Sequence, residues 1–356
     1  MSAVDYKKEL KDLMDIVISE NGSDLHFSVG AHPIVRVTGS LIPLVRLPIL
    51  TDQDVEGFGR VLMTKSRYEE FITELEMDFS YGHADGIRFR GNAFFQNGSM
   101  AIALRLIPNK IRSMQELGLP PILESFAERT QGFFLCVGPV GQGKSTTLAS
   151  LVEYINVNRT EHIVTIEDPI EYIYEAKKSL IDQREIGMDS VSFERALNSV
   201  FRQDVDVILV GEMRNAATIS TAVTAAETGH LVLSTLHTNN AAQTIDRIID
   251  SFPAAQQDQI RAQLSSSLAG IFSQRLIPRI SGGLIPAYEL LINNSAVANL
   301  IRERRTHEIQ TLIETGLEHG MIDMNRSLAE LVKRGEITVE NAFAYSINPK
   351  GLERLM

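Results

Sequence analysis

The chain has 356 residues, of which 44% are hydrophobic and 22% charged, a composition typical of a globular protein long enough for two domains. Its formal net charge of −11 argues against a protein that coats nucleic acid, because neutralising phosphates requires a basic surface. A single cysteine excludes an internal disulfide and any metal site with several cysteine ligands.

The first predicted element is an amphipathic helix over residues 5–20, followed by Asn21-Gly22 as a C-terminal stop. The apolar side chains on its face are Tyr6, Leu10, Leu13, Met14 and Val17. The N-terminal sequence lacks the apolar core of a signal peptide, and no apolar run approaches the roughly 20 residues that span a bilayer. We therefore expect a cytoplasmic protein.

Four strands are predicted in the first hundred residues, at 24–30, 33–39, 87–95 and 100–108, with a turn at Asn97-Gly98. Together with the first helix they indicate a small α+β domain over residues 1–108. Proline and glycine mark both ends of the next stretch, which predicts a linker at 109–121.

The rest of the chain, residues 122–356, is predicted to form an α/β domain with C-terminal helices. Short apolar strands (FFLCV, IVTIE, VDVILVG and LVLSTL) alternate with helical stretches, as in a parallel sheet covered by helices on both faces. Residues 256–276 carry Ile260, Leu264, Leu268 and Ile271 at helical spacing, which predicts one further packed helix.

A phosphate-binding loop is predicted at GPVGQGKSTT, residues 138–147, which follows an apolar strand and has the Walker A spacing. Backbone amides would surround the phosphates, Lys144 would reach the β- and γ-phosphates, and the Ser145 hydroxyl would ligate Mg²⁺. We therefore expect ATP and Mg²⁺ as ligands. The residues expected to bind nucleotide in this loop are Gly138, Gly141, Gly143, Lys144, Ser145 and Thr146.

Two carboxylates are expected at the carboxyl ends of strands, where the binding and catalytic sites of α/β proteins usually lie. VDVILVG delivers Glu212, the candidate for holding the metal, and IVTIE delivers Glu167, the candidate for orienting the attacking water. Asp206, before its strand, is expected to be structural. The competing interpretation is that Glu167 and Asp168 form a solvated strand end or a helix cap.

Two histidines flank the strand LVLSTL. His230 and His237 are separated by seven residues, about 23 Å along an extended strand, so they cannot share a metal there. His237, at the carboxyl end, suits a hydrogen-bonding sensor of the γ-phosphate, although a lone histidine is more often structural.

Three arginines in the first domain are further candidates. Arg88 and Arg90 lie two apart on a predicted strand and therefore share a face, and Arg105 comes from the other strand. They either point toward nucleotide or are solvated surface residues. An arginine from another domain or subunit would make hydrolysis depend on assembly.

Taken together, these motifs resemble the secretion and type IV pilus motor ATPases over nearly the whole chain. The resemblance rests on GPVGQGKSTT, IEDPIEY, RQDVDVILVGEMR, TAAETGHLVLSTLHTNNAAQTIDRI and SDLHF. SAVANLIRE, residues 295–303, is similar to the C-terminal motif of the retraction branch, the PilT family. The resemblance implies an N-terminal PAS-like α+β domain followed by a RecA-like P-loop ATPase domain, assembled as a homohexamer.

The resemblance also implies residue roles. Glu167 corresponds to the catalytic glutamate, and Glu212 to the Walker B residue that holds Mg²⁺ partly through water. His230 and His237 correspond to two histidines at the nucleotide site. The three arginines, Arg88, Arg90 and Arg105, correspond to arginines that approach nucleotide in these rings.

The chain departs from the family pattern at Ala298, Val205 and Asn215, where arginine, proline and aspartate are usual. The extension branch is disfavoured because no large domain precedes the first helix, and one cysteine cannot form the zinc insert common there.

The function implied is an ATPase motor that retracts type IV pili by acting on an inner-membrane platform protein, from the cytoplasmic face of the membrane. A paralogous motor is a further expected partner, and nucleic acid is not. The alternatives are a pilus extension or type II secretion ATPase, and a low-turnover ATP-binding scaffold or accessory paralogue.

Overall fold

The computed structural model of the protein describes residues 5–84, 87–107 and 110–356. These residues form two compact units, one covering the chain up to Lys110 together with Glu171–Ile173, and one covering 111–170 and 174–356. The domain boundary expected at residues 108 and 109 lies outside the described residues. Both units combine helices with a sheet, so the expected mixed α/β class is confirmed.

The first unit is built on an antiparallel sheet. Its strands are β1 (Gly22–Ser28), β2 (Ile34–Val37), β3 (Ser40–Pro43), β4 (Glu76–Gly82), β5 (Arg88–Gln96) and β6 (Ser99–Ile107), in the order β3-β2-β1-β6-β5-β4. Its helices are α1 (Tyr6–Ser19), α2 (Asp52–Leu62) and α3 (Lys65–Glu74). Sequence patterns predict α1 and four of these strands correctly, and they miss α2, α3, β3 and β4.

One face of this sheet forms the core of the first unit. Leu10 and Met14 of α1 are fully buried, as the helical spacing predicts. Phe27 of β1 stacks on Phe58 of α2, with ring centroids 4.7 Å apart. Because side chains alternate along a strand, the polar residues between the core positions lie on the opposite face.

The second unit is built on a mostly parallel sheet. Its strands are β7 (Gly132–Val137), β8 (His162–Glu167), β9 (Leu180–Glu185), β10 (Val207–Val210), β11 (Leu231–Leu236), β12 (Leu268–Pro278) and β13 (Leu284–Ile292), in the order β13-β12-β7-β11-β10-β8-β9. All neighbouring pairs are parallel except β12 with β13.

Helices connect and follow these strands. They are α4 (Leu123–Ala127), α5 (Lys144–Asn158), α6 (Phe193–Val200), α7 (Ala216–Glu227), α8 (Ala241–Asp250), α9 (Ala254–Ser267), α10 (Ser295–Arg302), α11 (Ile309–Thr315), α12 (Met324–Lys333), α13 (Val339–Tyr345) and α14 (Pro349–Glu353). The helices α12 to α14 share a small apolar core with Ile277 and Ile285 of the β12-β13 hairpin. Nowhere in the described ranges is a helix long and apolar enough to cross a membrane.

The central strands of the second unit position the candidate site. Every residue of β7, β10 and β11 is buried, as expected of parallel strands covered on both faces. Because these strands are parallel, the loops that follow β7, β8, β10 and β11 emerge at one edge of the sheet. Cys136 lies within β7, where burial raises the pKa of its thiol to about 12, so it packs as an apolar side chain.

The helix predicted over 256–276 is only partly correct. The helix α9 ends at Ser267, and Leu268 and Ile271 belong to β12, which pairs with β7. A Cβ at Gly270 would lie 2.7 Å from the Phe126 ring, so glycine permits the close packing of this strand. The apolar side chains keep their helical spacing up to Ile271, so the sequence pattern predicts a helix there. The segment forms a strand because it pairs with β7, more than a hundred residues earlier in the chain, and a local pattern contains no information about that partner.

Candidate functional site

The loop between β7 and α5 has the geometry of an anion-binding turn. Gly138 has φ of 145°, and a Cβ there would lie 2.4 Å from the backbone oxygen of Gln274, so only glycine fits. Gly141 and Gly143 also have positive φ, and Gly143 is the N-cap of α5. Because glycine has no side chain, the first amides of α5 receive no side-chain cap, which leaves them for a ligand.

Three neighbouring helices of this unit begin with a side-chain cap, whereas α4, α9 and α11 have none. The side chains of Ser192, Asn215 and Asn240 cap α6, α7 and α8 by accepting a hydrogen bond from a backbone amide of the first turn. The family pattern has aspartate at position 215, and an aspartate side chain could cap α7 in the same way. The asparagine at this position therefore keeps the helix cap.

Lys144 lies inside the loop, with the residue only 7% exposed. Its Nζ donates to the carbonyl oxygens of Gly138 and Pro139, each at 2.9 Å, and lies 3.3 Å from His237 Nδ1. Ser145 and Thr146 follow in the first turn of α5 and are half-buried. The loop therefore surrounds a positive charge at the helix N-terminus.

Glu212 lies next to this charge, two residues after β10. Its Oε2 is 3.8 Å from His237 Nε2, and its Oε1 accepts a hydrogen bond from Arg214 Nη2. That bond raises the pKa of Arg214 above its usual value. Arg214 also reaches toward Asp168, with Nη1 4.0 Å from its Oδ2. His237 thus lies between the P-loop lysine and the Glu212 carboxylate.

Glu167 is the last residue of β8 and is buried, with 7% of the residue exposed. The strands β8 and β10 pair in register, with Ile166 opposite Val210. A Cβ at Gly211 would lie 3.4 Å from the Glu167 Cα, so the backbone that leads to Glu212 passes close to Glu167. The structure therefore brings both predicted carboxylates to the same edge of the sheet, whereas Asp168 is exposed.

The residues at this edge fit a magnesium-bound triphosphate. The uncapped amides of α5 and the Lys144 amine complement phosphate oxygens. Mg²⁺ on a nucleotide takes most of its ligands from phosphates and water and needs few from the protein, and here the Ser145 hydroxyl and the Glu212 carboxylate would supply them. The described residues contain no cluster of three or more acidic, histidine or cysteine side chains that could hold a metal alone.

The two predicted histidines lie at opposite ends of β11. His237 belongs to the site, and half of its side chain is exposed. His230 contacts the Ala225 carbonyl through Nδ1 at 3.0 Å and packs edge-on against Phe201. Within this chain, His230 is therefore not brought to the P-loop.

The three arginines lie on the polar face of the first unit's sheet. Arg90 of β5 is directly opposite Arg105 of β6, and Arg105 Nε donates to Asp24 Oδ1 at 2.8 Å. Burial acts to raise the pKa of Asp24, but the hydrogen bonds from Ser23 and Arg105 outweigh it and lower the pKa below its usual value. Arg88 donates to Ser80 Oγ at 2.7 Å. Their predicted role at nucleotide remains a prediction.

Comparison with known proteins agrees with this geometry. Residues 82–283 match the type II/IV secretion system protein family. The chain is 43% identical to the type IV pilus retraction ATPase PilT of Pseudomonas aeruginosa, over 94% of this chain and 97% of that protein. The chain belongs to the PilT family of pilus retraction ATPases. The predicted ATPase activity and the predicted place among pilus retraction motors are thereby confirmed.

Two further proteins extend this assignment to the PilT family. The type IV pilus ATPase PilU of the same organism is 40% identical, over 98% of this chain and 91% of its own length. The crystal structure of the pilus retraction motor PilT with bound ADP superposes with a TM-score of 0.91 at 46% identity, covering 97% of this chain and 99% of the other. The fold of this chain is thus that of a PilT-family motor along almost its full length.

Sequence reasoning missed the residues of β12 that hold the P-loop. Gln274 is 2% exposed, donates from Nε2 to the Gln142 carbonyl at 2.7 Å, and accepts from Thr147 Oγ1 at 2.6 Å. Leu276 N donates to Gln142 Oε1 at 2.7 Å. A glutamine within an apolar segment is the sequence signal that could have identified Gln274. A side-chain amide that is buried with such a segment requires hydrogen-bond partners.

A cavity of about 350 Å³ adjoins the site on the side of α8. It is lined by Glu212, Arg214 and His237 together with Arg247 and Ser251. The sequence patterns gave no reason to select Arg247, since a single arginine in a helix resembles any solvated residue.

Proposed function

We propose that this protein hydrolyses ATP at the cluster formed by Lys144, Glu167, Glu212 and His237, and that the energy powers retraction of a type IV pilus. The observation that carries the proposal is the chain of contacts from Lys144 to His237 at 3.3 Å and from His237 to Glu212 at 3.8 Å, beside an uncapped helix N-terminus. This arrangement combines a phosphate cradle, a carboxylate for the metal and a group that reports on the γ-phosphate.

Lys144 would exchange its hydrogen bonds to the Gly138 and Pro139 carbonyls for bonds to phosphate oxygens when ATP binds. The loop is thereby already shaped around a positive charge, so little reorganisation is needed. Bound Mg²⁺, held by Ser145 and through Glu212, would neutralise charge on the β- and γ-phosphates.

Glu167 would position the attacking water and accept its proton. Its burial at the end of β8 keeps the carboxylate in a fixed orientation beside the backbone that carries Glu212. His237 would hydrogen-bond the γ-phosphate and respond when that group departs. Because His237 also contacts Lys144 and Glu212, a movement of the histidine would change the positions of both the P-loop lysine and the metal-binding carboxylate.

We further propose that the active form is a homohexamer in which residues 1–108 form a PAS-like domain, 109–121 a linker and 122–356 a RecA-like domain. Arg88, Arg90 and Arg105 would then approach nucleotide within the ring. The resident partner would be an inner-membrane platform protein at the cytoplasmic face. The superposition on PilT supports the fold of the chain, and the hexamer and the platform partner rest on the family resemblance.

Turnover by the purified protein tests the catalytic part. Glu167→Gln should retain ATP binding and lose hydrolysis, and a wild-type protein that binds ATP without hydrolysing it would favour a scaffold instead. Surface fibres in a strain without this gene test the cellular part. Abundant fibres without twitching motility indicate a retraction motor, whereas missing fibres indicate an extension motor and an unchanged surface an accessory paralogue.

A further inference from the structure

A buried carboxylate lies behind the loop that carries His237. Glu289, on β13, is 1% exposed, and its register partner on β12 is Ser273, which is equally buried. Directly opposite residues in an antiparallel pair point to the same face of the sheet. The two side chains therefore form a buried polar pair across the β12-β13 hairpin.

Both members of this pair hold the segment that follows His237. Ser273 Oγ donates to the Asn239 carbonyl at 2.9 Å, and Glu289 Oε1 accepts from Ala241 N at 2.8 Å. Ala241 is the first residue of α8, which begins only four residues after His237. The polar pair thus fixes the backbone between the histidine and the helix.

The surroundings of Glu289 make its charge costly. Glu289 Oε2 is buried, and among the residues that the structure describes none donates a hydrogen bond of normal geometry to it. The Gln310 side-chain amide lies close enough to favour the charged form of the carboxylate. Burial is the main cause that raises the pKa of Glu289 to about 7, and the neighbouring acids Asp323 and Glu314 add to the effect. The Ala241 amide at the N-terminus of α8 acts in the opposite direction.

We propose that Glu289, acting with Ser273, is a positioning residue that fixes the His237 loop for ATP hydrolysis. The proposal rests on the proposed role of His237. The ionised carboxylate makes a charge-assisted bond to the N-terminus of α8, and the protonated acid makes a weaker one. Turnover should therefore increase as the pH rises through about 7.

The test uses Glu289→Gln in the full-length protein, because glutamine keeps the shape and the acceptor but removes the charge. Two readouts are needed. The first is the pH profile of kcat from pH 6 to pH 8.5. The second is hydrogen exchange of the amides of residues 238–245 in protein without nucleotide, corrected for the intrinsic pH dependence. Glu318→Gln is the matched control, since it removes an exposed charge from the same unit and Glu318 is not among the acids that raise the pKa of Glu289.

We expect Glu289→Gln to lower kcat about fivefold at pH 8 and to leave it close to wild type at pH 6. Exchange in 238–245 should be several-fold faster than in wild type at pH 8, and Glu318→Gln should match wild type in both readouts. Wild-type exchange and an unchanged pH profile in Glu289→Gln would overturn the proposal.

Two additional variants keep the outcomes separate. If Glu289→Gln does not fold, Ser273→Ala removes only the bond to the Asn239 carbonyl, and unchanged exchange in 238–245 would then contradict the positioning role. If His237→Ala retains wild-type turnover, the proposed function of His237 fails. Loss of turnover in His237→Ala with an unaltered profile in Glu289→Gln rejects only the role of Glu289.

Discussion

Lys144 Nζ lies 3.3 Å from His237 Nδ1, although 93 positions separate the two residues in the sequence. This contact joins the P-loop to the loop after β11. Because Lys144 also bonds two carbonyls of its own loop, a phosphate that binds the lysine must replace contacts within the protein. Occupancy of the γ-position is therefore expected to change the contact between Lys144 and His237.

Lys144→Ala should weaken ATP binding by roughly 100-fold, because two charge-assisted hydrogen bonds to phosphate are lost. Titration with a fluorescent ATP analogue measures the change. Lys177→Ala, which removes an exposed lysine of the same unit, is the control and should bind as wild type does. Retained affinity in Lys144→Ala would show that the loop does not hold the phosphates.

Glu167→Gln should lower kcat by about 100-fold or more while the affinity for ATP stays within about twofold of wild type. The amide cannot accept the proton of the attacking water, but it fills the same buried space. Asp168→Asn, at the adjacent exposed position, should have little effect. A parallel loss of binding and turnover would argue that Glu167 supports the fold rather than the reaction.

Gln274→Leu should reduce ATP affinity about tenfold. The substitution leaves the Thr147 hydroxyl and the Gln142 carbonyl without their buried partner, which costs roughly 1–3 kcal/mol at the loop that binds phosphate. Binding titrations together with thermal unfolding separate the two effects. If only stability falls, Gln274 does not shape the nucleotide site.

Arg90→Gln and Arg105→Gln should lower turnover more than ATP binding if these arginines reach nucleotide in an assembled ring. Arg105→Gln should in addition destabilise the first unit slightly, because Asp24 loses a 2.8 Å partner. Arg46→Gln, an exposed arginine of the same unit, is the control. Turnover equal to wild type in both variants would mean that these arginines are ordinary surface residues.

Glu289→Gln should also change how stability depends on pH. The folded pKa of about 7 exceeds the usual value of 4.5, so protonation stabilises the fold below about pH 4.5, and this contribution is lost as the pH rises through 7. Glutamine resembles the protonated acid at every pH. The free energy of unfolding of the variant relative to wild type should therefore rise between pH 5 and pH 8, by on the order of 3 kcal/mol. Urea denaturation at both pH values measures it, and parallel curves would contradict the prediction.

Ala298 stands where arginine is usual in the C-terminal motif of the family. Ala298 lies on α10 and is 9% exposed, among residues that pack against the core. The family identity did not depend on this position, because the relatives match over almost the whole chain.

Local patterns were enough to locate the P-loop and the two carboxylates. Glycine spacing, a preceding apolar strand and an acid at the strand end are properties of short segments, and each is dictated by backbone geometry within about ten residues. The α/β class followed for the same reason, since alternating strands and helices are visible in the chain order.

The sequence by itself therefore determined the nucleotide loop, Glu167 and Glu212 at strand ends, and the family of this protein. Only the tertiary structure decided that β12 pairs with β7 and that Gln274 hydrogen-bonds the P-loop. It also decided that Ser273 and Glu289 hydrogen-bond the segment that follows His237. These contacts join residues far apart in the chain, and their free energy comes from strand pairing and burial, which local periodicity does not encode.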